Sequence, residues 1–167
     1  MPAQPTELET YFLQLVNGTR AEAGVSPLTF DDELMVAADN HSAWMDATDT
    51  FSHTGANGSS PEDRISAAGY EATWWGENIS EFHGTNETAN TQSVEQSYQA
   101  FLDDPVHYQN MVNPNFQDVG ISVVGGDYQG DPAVYVTMDF GTAAEQVAVY
   151  HPSPGSTATD PFYTDFA

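Results

Sequence analysis

FLDDPVHYQNMVNPNFQDVGISV, residues 101–123, ends one helix, starts another and runs into a strand. Phe101 and Leu102 continue the apolar spacing of Val94 and Tyr98, which predicts an amphipathic helix up to this point. Asp104 then stands directly before Pro105, a pairing that suits an N-cap followed by the first residue of a new turn, and that turn carries His107. Val119 to Val124 is a β-branched run. With the run from Val134 to Phe140, reached across a glycine-rich connection, it predicts an antiparallel hairpin.

Working outward, Thr6 and Glu9 have the spacing of a capping box, and Leu8, Tyr11, Phe12, Leu15 and Val16 recur at helical intervals until Gly24. After the turn at Ser26 and Pro27, the spacing of Leu34, Ala37, Ala38, His41, Trp44 and Met45 predicts a second amphipathic helix, with His41 on its inward face as a core histidine. Ser60, Pro61 and Asp63 open a short third helix that Gly69 ends. No internal repeat interrupts this order.

The chain of 167 residues has the length and apolar content of one globular domain, expected over residues 1–145, followed by a polar, proline-bearing tail or linker at 146–167. Arg20 and Arg64 are the only Lys or Arg residues, and the formal charge of -23 disfavours nucleic acid and anionic membrane surfaces as partners. Such a charge fits a salty or calcium-rich medium, in which counterions screen self-repulsion over about 8 Å or less. No Cys is present, which excludes disulfides, thiolate ligands and a Cys nucleophile. No apolar run approaches the roughly 20 residues of a membrane span, and the start MPAQPTELE lacks the regions of a signal peptide.

Three strings carry the chemistry: FSHTGANGSSPEDRI at 51–65, WWGENIS at 74–80 and the opening stretch. They hold His53, Glu77, Asp104 and His107, with Asn78 and His41 as further cleft candidates. These strings, together with LVNGTRAEAGVSPLTFDDELMVAADNHSAWM at 15–45 and VYVTMDFG at 134–141, resemble the bacterial branch of the CAP superfamily. That superfamily groups cysteine-rich secretory proteins, antigen 5 and plant pathogenesis-related class 1 proteins. The resemblance implies an α+β fold, a three-layer α-β-α sandwich around a mostly antiparallel sheet. It also implies a cleft of two His and two acidic residues, carried by His53, Glu77 and His107, with Phe101 in the place of a family Trp and Asp104 in the fourth polar place. Export from the cell is implied as well, with any signal outside these residues.

Imidazoles and carboxylates suit Zn²⁺, and a set of His53, His107 and one carboxylate would leave a position for water. Glu77 or Asp104 would then be the third ligand, an acceptor fixing an imidazole tautomer, or a general base. The same residues also read as a metal-free polar cluster, with Asp104 as an N-cap and Glu77 and Asn78 bonded to loop backbone. Asp127 and Asp131, in GGDYQGD, offer oxygens to Ca²⁺ but match no calcium loop and read as a solvated turn. Trp74 and Trp75 are expected to pack in the core rather than line a lipid or sugar groove. Ser52 and Ser97 lack the surroundings of a nucleophile elbow. His83 and His151 are assigned no role. Arg64, one of two cations, is expected to make a bidentate pair with a distant acid and so pin its helix beside the His53 loop.

Two functions follow from the resemblance and the site together. One is an extracellular binding module that takes a metal, a small ligand, a lipid or an extracellular protein. The other is a metal-dependent, peptidase-like hydrolase using the same cleft.

Overall fold

The structure, a computed structural model, describes residues 4–144; the expected tail at 146–167 and His151 lie outside them. The elements run α1 (Glu7–Glu22), β1 (Thr29–Phe30), α2 (Asp32–Ala47), a 3₁₀ turn (Ala56–Gly58), α3 (Pro61–Ala67), β2 (Ala72–His83), α4 (Thr91–Asp103), α5 (Pro105–Met111), β3 (Asp118–Tyr128) and β4 (Asp131–Ala143). The strands form one sheet in the order β1-β3-β4-β2, with β1 parallel to β3 and the other pairs antiparallel.

The helix starts follow from local chemistry. At α1, Thr6 and Glu9 close a capping box, as their spacing predicts. Asp31 caps α2, Ser60 with Pro61 opens α3, and Asn90 caps α4. The anticipated hairpin is β3 and β4, joined by the tight turn at Gln129 and Gly130, both at positive φ.

Alternation along β4 sorts the layers. Val134, Val136, Met138 and Phe140 join Phe12, Val16, Val94, Phe101 and Met111 in the larger core, so α1 and α4 cover that face. Residues of opposite parity meet α2 and α3. Tyr135 packs with Met45, Thr137 Oγ1 accepts from Ser42 Oγ at 2.8 Å, and Gly141 leaves room for the Tyr70 ring. The result is the α-β-α sandwich. At Gly120 a Cβ would stand 2.1 Å from the Leu34 carbonyl carbon, so α2 lies directly on the sheet there.

Arg20 is fully buried and, among the described residues, meets no carboxylate. Its Nε donates to the Ser26 carbonyl at 2.7 Å, Nη1 to those of Met111 and Asn113 at 2.8 and 3.0 Å, and Nη2 to that of Phe116 at 3.0 Å. It therefore ties the end of α1 to the segment between α5 and β3. Burial lowers its pKa, and the carbonyl dipoles take the place of a counter-ion.

The WWGENIS string is part of a regular strand, which places Glu77 and Asn78 on β2. One expectation is corrected, the core packing of Trp74 and Trp75. Trp74 and Trp75 are 53 % and 40 % exposed, because they precede the part of this edge strand that the helices cover.

Candidate functional site

The site is organised by β2, whose consecutive residues Glu77 and Asn78 face opposite layers. Each holds one histidine in place. Glu77 Oε1 accepts from His53 Nδ1 at 2.7 Å, in the loop between α2 and α3. Asn78 Nδ2 donates to the His107 carbonyl at 3.0 Å, and its Oδ1 accepts from Asn110 Nδ2 at 2.8 Å, which fixes α5 from the other side. The sheet edge thus carries two imidazoles from separate layers, and both anchors are buried.

Glu77 is also the partner of Arg64. Nη2 lies 2.5 Å from Oε2, while Nη1 donates to the carbonyls of His53 and Ser59 at 3.0 and 3.1 Å. The distant acid expected for Arg64 is found, but the pair is single-bonded, because the other guanidinium nitrogen clamps the His53 loop. Burial alone would raise the Glu77 pKa. The His53 hydrogen bond and the Arg64 charge outweigh it and hold the carboxyl below its usual range.

His41 is the expected core histidine. Its Nε2 bonds to the Ser52 carbonyl at 2.9 Å and its ring stacks on Trp44 at 5.6 Å, so it holds the backbone one residue before His53. Burial lowers its pKa, with Glu77 opposing.

Asp104 does not turn towards a shared ion. Its Oδ1 accepts from the Val106 and His107 backbone N–H groups at 2.8 and 3.1 Å, the N-cap of α5, and lies 3.7 Å from His107 Nδ1. Those two backbone bonds lower its pKa. His107 packs on Phe101 at 5.1 Å, and burial is the main reason its pKa is lowered. Among the described residues no group of three or more His, Asp or Glu side chains is gathered to hold a metal. The four-residue ligand set is therefore not assembled: Glu77 is committed to His53 and Arg64, and Asp104 to its helix.

The remaining candidates have local roles. Asp127 Oδ1 accepts from Gly130 N at 2.8 Å inside the hairpin turn, and Ser52 Oγ accepts from Thr54 N at 3.0 Å. Ser97 is buried in α4, and His83 pairs with Glu81 at 2.8 Å.

Sequence reasoning missed Asp139, which is 1 % exposed and directly opposite Glu77 in the sheet. The signal was available in VYVTMDFG, where an acid interrupts an otherwise apolar strand.

Residues 13–140 match the cysteine-rich secretory protein family. A curated relative, the uncharacterized protein YkwD of Bacillus subtilis (strain 168), is 28% identical over 123 residues, 74% of this chain and 45% of the relative. The chain thus spans less than half of that protein. Among solved structures, an outer surface protein from Borrelia burgdorferi superposes with a TM-score of 0.68 at 17% identity, over 85% of this chain and 97% of that one. NaASP2, solved with Zn²⁺, gives a TM-score of 0.59 at 17% identity, over 81% of this chain and 80% of that one. At such identities the structures speak for the fold alone. Although it has no cysteine, the chain belongs to the cysteine-rich secretory protein family.

Proposed function

We propose that this is an extracellular binding module whose cleft takes a divalent cation, zinc, on His53 and His107, as part of the surface it offers to a small ligand or another extracellular protein. One observation carries the reading. The Arg64–Glu77–His53 chain fixes His53 through Nδ1 and leaves its Nε2 as the nitrogen for a ligand, the usual arrangement behind a metal-binding imidazole. His107 has a lowered pKa, which favours the neutral form that a metal needs. Glu77 orients rather than ligates.

Two imidazoles are half of a tetrahedral zinc shell, so water or a ligand of the partner would complete it. Such a site is open, and weaker than a closed structural one. The Zn²⁺ in the NaASP2 structure and the surface location of the Borrelia protein support the reading by likeness. No observation favours the hydrolase: the buried acid of the cleft already has both oxygens engaged and is not a free base.

Calorimetric titration with Zn²⁺ tests the proposal. His53→Ala and His107→Ala should each weaken binding strongly, and Glu77→Gln by about 10 to 100-fold. Asp104→Ala should weaken it least, and acid should release the ion by protonating the imidazoles. Equal zinc binding by the wild type and the double His53→Ala, His107→Ala variant would eliminate the metal and leave a hydrogen-bonded polar cluster.

A further inference from the structure

Asp139 is enclosed from every side. In the sheet its neighbour on β2 is Glu77 and its neighbour on β3 is Gly120, over which the backbone of α2 is pressed. From α2 the titratable group near this pair is His41, whose Nε2 is 4.0 Å from Glu77 Oε2; from α3 it is Arg64, and from the preceding loop His53. None of them serves Asp139. The Arg64 Nη2 and His53 Nδ1 donors go to Glu77, His41 Nε2 goes to Ser52, and Arg64 Nε and His41 Nδ1 are buried without any partner.

Written as a carboxylate, Asp139 would have two buried oxygens with no donor at all, beside the carboxylate of Glu77. Burial of an unpaired anion and repulsion by a like charge both oppose that state. Protonation removes both costs, since the new O–H has an acceptor directly across the strands. We propose that Asp139 stands in the folded protein at neutral pH as an uncharged carboxylic acid that donates to Glu77, a positioning residue that helps aim Glu77 at Arg64 and His53. Burial first, and then the Glu77 charge, push its pKa well up, and the Arg64 charge only partly opposes them. A neutral donor adds a bond to Glu77 without adding charge, so the single Arg64 cation suffices for the pair. The inference holds whether or not the cleft takes a metal.

The sign of the linkage separates this from a structural anion. With the folded pKa raised, the wild type gains stability from Asp139 only at low pH, and loses it as the pH rises above the unfolded value of about 3.9. Asp139→Asn keeps an N–H donor at every pH, so it should match or exceed the wild type at neutral pH, with its advantage growing from about pH 4 upward. Carbon-13 NMR of the assigned Asp139 carboxyl in the wild type should show the protonated form at pH 7. A carboxyl that titrates with the ordinary aspartates near pH 4 would overturn the proposal. The positioning role has its own readout: Asp139→Leu, which lacks a donor, should displace the His53 imidazole signals in NMR spectra taken at one fixed neutral pH, and Asp139→Asn should restore them. Imidazole signals of His53 that are identical in all three proteins would overturn that role.

Discussion

Glu77 is where most of the site's electrostatics converge, and its behaviour with pH can be predicted. Its folded pKa is depressed, so its contribution to stability is present above the unfolded value of about 4.3 and is lost as the pH falls through the folded value. His41 and His107 act earlier in an acid titration. Their pKa values are lowered, so stability declines from about pH 6.5 downward as the unfolded chain takes up protons that the folded one refuses. Thermal melts against pH should therefore fall in two stages, and Glu77→Gln should flatten the lower one. Removing Arg64 would leave the Glu77 carboxylate buried and uncompensated. Arg64→Ala should cost about 3 kcal/mol, read as a lower denaturant midpoint, and Arg64→Lys should recover only part because one ammonium cannot also serve the His53 and Ser59 carbonyls. At this scale the sequence was a good guide to types and a poor one to roles. His53, Glu77, Asn78 and His107 do gather at one sheet edge, but nothing local says that Glu77 would be spent on a guanidinium. Asp139 was hidden because its partner is 62 residues away and is set only by strand register.

Among elements, the helices and the β3–β4 hairpin were legible because each is written in local periodicity and capping. β2 was not. It is an edge strand whose outer end exposes two tryptophans and whose centre reads Gly-Glu-Asn, so neither alternation nor an apolar run marks it. Its identity comes from pairing with β4 and from anchoring α5 through Asn78. β1, two residues long, is equally invisible, since it exists only through β3. At Gly120 the backbone of α2 itself touches the sheet. Gly120→Ala should destabilise the fold near the top of the usual range of about 1–3 kcal/mol for overpacking, because the obstacle is the Leu34 backbone and not a side chain that can turn away. Chemical denaturation should show a lower midpoint at unchanged slope.

For the whole molecule the governing fact is a net charge of -23 set against two arginines, both used inside the fold. Self-repulsion should be relieved by counterions, so the melting temperature should climb from low salt to about 1 M sodium chloride, where screening acts within roughly 3 Å. A flat profile would show that the charges are spread widely enough not to matter. The placement of the arginines has a consequence for proteolysis. A protease that cleaves after basic residues has only two sites in 167 residues, and both are locked: Arg20 has no exposed surface, and the Arg64 side chain is 11% exposed and bonded on two sides. Trypsin should therefore leave the native chain whole, and the rate at which it cuts becomes a direct count of how often the fold opens.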